Sequence, residues 1–295
     1  MALSRILNLR FAFFGTPRFA EIILNELEQK GFIPALVVTA PDKPKGRKLL
    51  LTPSEVNIWA KKRHIPVLMP EKLSNEAFLE DLKKTDFDLF IVAAYGKIIP
   101  KVVLDLPRNG SLNIHPSLLP KFRGPSPIES AILSDETSTG VTIIVLDEEM
   151  DHGPIIAQQE FIIENWPTKG SRLAEYLAHA GGALLAETLP EYLARGKAYP
   201  QDHSRATFTK KISKEDGLID LSGDPLLNYR KIQAFDDWPG AFFFTERNGR
   251  RIRVRVTDAS YANSKLSITR VVPEGKKEMS YEDFLRGEAR TRDGL

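Results

Sequence analysis

The sequence contains no cysteine among its 295 residues. This absence excludes disulfide bonds, thiolate nucleophiles and cysteine-based zinc sites, so an enzyme built on this chain would use acid–base or oxygen chemistry. The sequence also has no stretch close to the roughly 20 apolar residues that span a bilayer, and its N-terminal segment lacks the apolar core of a signal peptide. We therefore expect a cytoplasmic protein that makes no membrane contact.

Two common phosphate-binding motifs are missing as well. The turn Gly15-Thr16-Pro17, which follows the first predicted strand, has a single glycine where a dinucleotide-binding motif needs three. No Walker-type sequence is present either, so a nicotinamide cofactor and ATP hydrolysis both lack support. The net charge of +2 is too small to indicate nucleic-acid binding. The distribution of the charged residues along the chain is more informative than their sum.

The length and pattern of the chain predict two domains. Hydrophobic residues make up 42% and charged residues 27%, which is ordinary for a globular protein with a buried core. As far as Arg195, apolar strands alternate with amphipathic helices, which predicts an α/β fold with a doubly wound, mostly parallel, Rossmann-like sheet. We place a catalytic domain at 1–195, a linker at 196–207 and a smaller second domain at 208–295.

The individual elements follow from hydrophobic periodicity. In the first domain we predict strands at 11–14, 35–39, 89–93, 111–114 and 140–146. We predict one helix that follows the first strand and ends at about Lys30, and further helices at 55–63, 75–84, 127–133 and 171–195. In the second domain, strands at 241–245 and 251–256 flank a segment with Asn248-Gly249, a strong signal for a hairpin turn.

The candidate catalytic residues follow predicted strands, where ligands bind in open α/β sheets. Asn113 and His115 are two positions apart at the end of a strand, so both point to the same side and could donate to an oxyanion. Asp151 lies where the chain must turn sharply and could reach back to His115 and orient its ring. The alternative is that His115 satisfies backbone groups at the strand end, and the spacing alone leaves both interpretations open.

A metal site is the second alternative for these residues. His115, Asp151 and His152 are the side-chain types of a site with two histidines and one carboxylate. The histidines show none of the spacings typical of metal-binding motifs. We therefore expect no metal.

Several motifs together resemble the methionyl-tRNA formyltransferases, within the wider group of enzymes that use 10-formyltetrahydrofolate. In the first domain they are Phe14-Gly15-Thr16-Pro17, Pro41-Asp42-Lys43-Pro44 with Gly46-Arg47, Ala94-Tyr95-Gly96-Lys97-Ile98-Ile99-Pro100, Asn113-x-His115-x-Ser117-Leu118-Leu119-Pro120 with Arg123-Gly124, Thr139-Gly140-Val141-Thr142, and Asp151-x-Gly153. In the second domain they are Lys211-Ile212-Ser213-Lys214-Glu215, Ile232-x-Ala234-Phe235-x-x-Trp238-Pro239 and Pro273-x-Gly275-Lys276-Lys277. The resemblance covers nearly the whole chain.

The resemblance implies the reaction and the roles of the site residues. The formyl group of 10-formyltetrahydrofolate would pass to the α-amino group of methionine on initiator tRNA, without a metal. Separately from the resemblance, which leaves the oligomeric state open, we expect a monomer. Asn113 and His115 would stabilise the developing oxyanion, and Asp151 would orient His115 and help to deprotonate the amine. The folate would be bound by Ser117, Leu118, Leu119, Pro120, Tyr95 and Gly96.

Two basic segments are the candidates for tRNA contact. Lys43, Lys45, Arg47 and Lys48 form a cationic loop, and in the resembled family this loop inserts against the acceptor end of tRNA. Arg251, Arg253 and Arg255 alternate along a predicted strand and so share one face, which suits a phosphate backbone. The alternative for this stripe is a solvated sheet face.

The sequence departs from the family pattern at one place, and other functions remain as alternatives. Between Val256 and Leu266 the sequence is much shorter than the family pattern, so we expect the second domain, a barrel-like domain of the OB type, to lack strands. The nearest rival function is N-formylation of an amino-sugar nucleotide with the same folate donor. A hydrolase that releases formate from this folate, and an inert RNA-binding protein on the same scaffold, are the others.

Overall fold

A computed structural model of the chain describes residues 9–45, 50–247 and 249–292. The strands of these residues, in chain order, are β1 (Phe11–Gly15), β2 (Leu36–Val38), β3 (Lys43–Lys45), β4 (Leu50–Thr52), β5 (Val67–Leu68), β6 (Leu89–Ala93), β7 (Ser111–His115), β8 (Ser138–Val145), β9 (Ile155–Ile162), β10 (Phe242–Arg247), β11 (Arg250–Ala262), β12 (Lys265–Pro273) and β13 (Met279–Ser280). The helices are α1 (Arg18–Gln29), α2 (Glu55–Lys62), α3 (Glu76–Lys83), α4 (Lys101–Leu104), α5 (Pro127–Leu133), α6 (Gly170–Arg195), α7 (Pro225–Ala234) and α8 (Tyr281–Arg292).

The described residues divide into two compact units. The first comprises Met1–Pro125, Thr139–Phe161 and Ala174–Thr209, and the second comprises Ser126–Ser138, Ile162–Leu173 and Lys210–Leu295. The domain boundaries that we placed at residues 195 and 207 remain predictions. No helix in the described part of the chain has the length and apolar character needed to cross a membrane.

The first unit is built on a seven-stranded sheet in the order β5-β2-β1-β6-β7-β8-β9. The five strands from β5 to β7 pair in parallel, whereas β8 is antiparallel to β7. All five residues of β1 and all five of β6 are buried, which is typical of parallel strands covered on both faces. This sheet confirms the predicted mostly parallel α/β fold.

Local sequence signals explain where the helices begin. The Ser54 side chain accepts a hydrogen bond from the Asn57 N–H at 3.1 Å and caps α2, and Asn75 caps α3 through the Phe78 N–H at 3.3 Å. In α1 the residues Ala20, Ile23, Leu24 and Leu27 are buried, as expected for an amphipathic helix on a sheet. These helices match the predicted positions to within a residue or two.

The second unit contains a four-stranded antiparallel sheet in the linear order β10-β11-β12-β13. Its core includes Phe243, Val254 and Val271, with Ile232 of α7 and Phe284 of α8. A smaller, β-rich second domain is therefore confirmed.

The shortened segment of the second unit forms a tight hairpin. Strand β11 runs on to Ala262, which pairs with Lys265 of β12. The two residues between them, Asn263 and Ser264, have φ of 49° and 59°, as a two-residue hairpin turn with positive φ at both positions requires. The short sequence after Val256 thus joins two long strands directly.

Candidate active site

The structure brings the three predicted catalytic side chains together after β7. The Asn113 Nδ2 donates to Asp151 Oδ1 at 3.4 Å, and His115 Nδ1 lies 3.6 Å from Asp151 Oδ2. Asn113 and His115 share one side of β7 because they are two residues apart. The His115 and Asp151 side chains are only 5% and 12% exposed, so water has little access to either group.

The turn that carries Asp151 has an unusual backbone. Asp151 has a φ of 51°, in the left-handed region that side-chain-bearing residues seldom adopt. Two residues on, a Cβ at Gly153 would lie 1.8 Å from the Val145 carbonyl oxygen, so only glycine fits there. The carboxylate also accepts the Gly124 N–H at 2.7 Å. This hydrogen bond fixes the carboxylate between the loop after β7 and the turn after β8.

Both ring nitrogens of His115 face acceptors. Nε2 lies 2.9 Å from the Phe122 carbonyl oxygen, to which it can only donate, and Nδ1 faces Asp151. In this arrangement His115 presents an N–H to a substrate oxygen only if that oxygen takes the place of the Phe122 carbonyl. Phe122 itself has a φ of 59°, so the carbonyl belongs to a tightly turned loop.

The predicted folate residues after β7 form a braced turn. The Ser117 hydroxyl donates to the Lys121 carbonyl at 2.7 Å, and the Leu119 N–H donates to Thr142 Oγ1 at 3.1 Å. The side chains of Ser117 and Leu119 are buried, whereas Leu118 and Pro120 are half-buried. Leu118 and Pro120 are therefore the members of this motif that a ligand can reach.

The other two predicted folate residues follow β6. Tyr95 is 3% exposed, and its ring packs edge-on against Phe14 at 5.6 Å between centroids. Burial raises the pKa of the Tyr95 phenol to about 12. The neighbouring Gly96 is exposed, with a φ of 80°. The Tyr95 side chain thus packs in the core, while the backbone at Gly96 is accessible.

The predicted tRNA residues are described only in part. Arg47 and Lys48 lie outside the described residues. Lys43 is exposed on β3, and Lys45 pairs through its backbone with Leu50 of β4. In this hairpin Leu50 and Leu51 are 65% and 71% exposed.

The three arginines of β11 share a face with two phenylalanines of β10. Arg251 stacks on the Phe244 ring at 4.0 Å and Arg253 on the Phe242 ring at 3.8 Å. Arg251 and Arg255 are exposed, whereas Arg253 is half-buried. The face is thus an arginine–aromatic surface and not a plain stripe of charge.

His152 does not join His115 around Asp151. Its Nδ1 hydrogen-bonds the Asp147 carboxylate at 2.7 Å, and its ring stacks on His203 with 4.1 Å between centroids. In the described part of the chain, no group of three or more histidine, cysteine or acidic side chains is arranged to hold a metal ion.

Sequence reasoning missed several groups that hold the site together. The Gly124 N–H, the Phe122 carbonyl and the side chains of Arg123 and Gln201 all reach the catalytic loops. Gln158 donates to both the Leu119 carbonyl and Thr142 Oγ1, at 2.9 and 2.8 Å. Most of these contacts join distant parts of the chain, so no local pattern indicates them.

Comparison with known proteins identifies the family to which the chain belongs. A profile described as formyl transferase matches residues 9–189, and one described as formyl transferase, C-terminal domain, matches 211–265. The methionyl-tRNA formyltransferase of Chloroflexus aurantiacus is 46% identical over 80% of this chain and 76% of its own length. The chain belongs to the methionyl-tRNA formyltransferase family.

Further relatives agree with this assignment. The methionyl-tRNA formyltransferase of Bacillus licheniformis is 38% identical over 94% of this chain and 95% of its own. A solved N-formyltransferase from Helicobacter canadensis, in complex with folinic acid and dTDP-3-aminofucose, superposes with a TM-score of 0.63. It is 19% identical, with coverage of 86% of this chain and 88% of its own, and so supports the fold alone.

Proposed function

We propose that this protein transfers the formyl group of 10-formyltetrahydrofolate to the α-amino group of methionine on initiator tRNA. The observation that carries the proposal is the meeting of Asn113, His115 and Asp151 in a nearly buried cluster. These side chains combine hydrogen-bond donors with a carboxylate acceptor, which is what the addition of an amine to a formyl carbon requires. Family membership supplies the reaction class.

Asn113 and His115 stabilise negative charge on the formyl oxygen. A preorganised donor of this kind contributes about 3 to 4 kcal/mol to the transition state. The Asn113 amide is held by the Asp151 carboxylate at 3.4 Å. His115 contributes when the formyl oxygen replaces the Phe122 carbonyl as the acceptor of its Nε2 proton.

Asp151 orients the other two residues and assists removal of a proton from the attacking amine. An ammonium group has no lone pair, so the amine must lose its proton in order to attack and to form the amide product. The Gly124 N–H and the Asn113 amide hold the carboxylate in place. Its remaining acceptor capacity faces His115, whose Nδ1 lies 3.6 Å from Asp151 Oδ2.

The residues at the strand ends fit a folate. When bound, 10-formyltetrahydrofolate supplies the formyl carbon and the leaving nitrogen. The half-buried Leu118 and Pro120 offer apolar contact to a flat ring, and the exposed backbone at Gly96 offers hydrogen bonds. Ser117, Leu119 and Tyr95 contribute by shaping these segments from the buried side.

Lys43, Lys45, Arg47 and Lys48 provide the proposed contact with the acceptor end of tRNA. The arginine–aromatic surface of β10 and β11 suits a phosphate backbone. Replacing exposed Arg251 and Arg255 with glutamine should weaken tRNA binding, and should reduce the slope of log K against log salt by about 1 per lost phosphate contact. An unchanged slope would remove this surface from the proposal.

The deciding experiment offers the protein 10-formyltetrahydrofolate with methionyl-tRNA in one reaction and with an amino-sugar nucleotide in another. Formylation of the methionyl-tRNA is expected. Formylation of the sugar nucleotide alone would establish the rival function, and formylation of neither would overturn the assignment as a formyltransferase for these acceptors.

A pair of variants tests the catalytic assignment. Asp151→Asn should lower turnover by about 100-fold or more while folate binding persists, because the amide is neither a base nor a charged partner for His115. Asp147→Asn is the matched control, because Asp147 lies in the same loop and hydrogen-bonds His152 instead. Normal turnover of the Asp151→Asn protein would contradict the assignment.

We also propose that the protein works as a monomer in the cytoplasm. Sedimentation at micromolar concentration, with and without tRNA, checks the first part. Fractionation of the cells that produce the protein checks the second.

A further inference from the structure

We infer that Arg123 and Gln201 are positioning residues, which hold the backbone of the turn that carries Asp151. The inference rests on the proposed function, in which the Asp151 carboxylate acts on His115 and on the attacking amine. Both residues act through this turn and through the loop after β7, without contributing a group to the reaction.

Gln201 is the direct holder of the turn. Its side chain, in a residue only 6% exposed, donates from Nε2 to the carbonyl oxygens of Asp151 at 2.9 Å and Gly153 at 2.8 Å. Its Oε1 accepts from Arg123 Nε at 3.2 Å and Nη2 at 2.7 Å. The four hydrogen bonds use the whole carboxamide, so Arg123 determines which end of the amide faces the turn.

Arg123 is placed in a way that stability alone does not favour. The residue is 3% exposed, and within the described residues its guanidinium bonds two neutral groups, Gln201 Oε1 and His203 Nδ1 at 2.8 Å. A buried cation is costly unless an anion or several hydrogen bonds compensate for the lost water. Such a residue is typical of a site that needs a fixed orientation.

The backbone of Arg123 lies between two groups that reach the catalytic side chains. Its N–H donates to the Thr207 carbonyl at 2.9 Å, and its own carbonyl accepts the Thr209 N–H at 2.7 Å. The residue before it supplies the carbonyl that faces His115, and the residue after it supplies the N–H that holds Asp151. One residue thus links the His115 side of the site to the Asp151 side.

The turn needs such support because of its conformation. Asp151 has a φ of 51°, a conformation that costs free energy for a residue with a side chain and that surrounding contacts help to hold. Gln201 satisfies the carbonyl of Asp151 itself and that of Gly153, two residues further along the turn. Without these bonds the turn can relax, and its carboxylate moves away from His115.

Three variants test the inference, with turnover and KM for folate as readouts. Gln201→Glu keeps an oxygen for Arg123 but turns an acceptor toward two carbonyls, and Gln201→Leu removes all four bonds. We expect a kcat about 10-fold to 100-fold lower in both, with KM for folate little changed, because a displacement of about 1 Å at the reacting groups has this effect. Arg123→Lys should give a smaller loss in the same direction.

Ser204→Ala is the matched control in the same segment. The Ser204 hydroxyl bonds the Asp202 carboxylate at 2.6 Å and does not contact the turn. This variant should retain the parent kcat. Thermal unfolding of each variant shows whether it is folded. If Gln201→Leu does not fold, Gln201→Glu still tests the inference, because it keeps an acceptor for Arg123.

A double-mutant cycle separates positioning from a merely structural role. If Gln201 acts through Asp151, then Gln201→Glu should cause little further loss of single-turnover rate in an Asp151→Asn background. Losses that multiply would overturn the inference, as would a parent-like kcat in the Gln201 variants. Normal turnover of Asp151→Asn itself would contradict the proposed function instead, so the two failures are distinguishable.

Discussion

Two buried tyrosines differ in one hydrogen bond, and this difference predicts opposite effects of the same substitution. The Tyr95 hydroxyl is buried and has no hydrogen-bond partner within the described part of the chain. The Tyr192 hydroxyl donates to the Asn109 carbonyl at 2.9 Å. The two residues are 3% and 9% exposed, so both side chains are buried.

Tyr95→Phe should stabilise the protein and Tyr192→Phe should destabilise it. A buried polar group without a partner costs about 1 to 3 kcal/mol, and a typical hydrogen bond contributes about 1 kcal/mol. We therefore expect the free energy of unfolding to rise by about 1 kcal/mol in the first variant and to fall by about 1 kcal/mol in the second. Urea unfolding at pH 8, followed by circular dichroism, measures both.

Alkaline pH should widen the gap between the parent and Tyr95→Phe. Burial raises the pKa of Tyr95 from 10.0 to about 12 in the folded state. The neutral phenol is therefore favoured by folding, and this contribution is fully present below pH 10 and is lost as the pH rises toward 12. The full loss is about 2.7 kcal/mol, at 1.36 kcal/mol per unit of pKa.

Either of two results would contradict an unpartnered Tyr95 hydroxyl. One is a Tyr95→Phe protein less stable than its parent at pH 8, which would mean that the hydroxyl has a partner. The other is a stability difference that stays constant from pH 9 to pH 11. Folate KM in the same variant shows whether the Tyr95 hydroxyl also contacts the ligand, and we expect no change.

Three further predictions concern other contacts. Arg63 bonds Glu28 and lowers the pKa of its carboxyl, so Glu28→Gln should cost about 1 kcal/mol of unfolding free energy at pH 7. The stability that the Arg63–Glu28 pair contributes is present above the ordinary carboxyl pKa. The difference in unfolding free energy between the parent and Glu28→Gln should therefore vanish in urea titrations as the pH falls through the lowered pKa of Glu28. A difference that stays constant with pH would refute the role of the Glu28 charge. Ser54→Ala removes the cap of α2 and the buried hydrogen bond between the Ser54 and Thr39 hydroxyls, at 2.8 Å, and should cost about 1 to 2 kcal/mol in urea unfolding, whereas an unchanged midpoint would show that these hydrogen bonds contribute nothing. Gly153→Ala puts a Cβ against the Val145 carbonyl oxygen, so turnover should fall sharply in a protein that circular dichroism shows to be folded, and parent-like turnover would contradict the tight fit.

The sequence predicted many of the helices and strands because their signals are local. Strand β1, helix α5 and the ends of β6 follow from apolar runs and flanking prolines and glycines, and they lie where periodicity placed them. The face shared by Arg251, Arg253 and Arg255 followed from alternation along one strand. The fold of the large sheet could be predicted because strand–helix alternation admits few other architectures.

Contacts between distant segments could not be predicted in the same way. The stacking of Arg253 on Phe242 requires the register of two strands, and the burial of Tyr95 requires the packing of β1 against β6. His152, an alternative metal ligand by sequence, bonds Asp147 because the turn after β8 closes on itself.

The cluster of Asn113, His115 and Asp151 shows both sides of this division. The sequence by itself determined the reaction class. The residue types, their positions at the ends of predicted strands and the family motifs can all be read from the order of the amino acids. Only the tertiary structure decided how the cluster is held, with Gly124 on the carboxylate, Phe122 on the imidazole, and Arg123 with Gln201 behind the turn. Hydrogen bonds between remote segments leave no periodic trace, because their geometry exists only once the chain has folded.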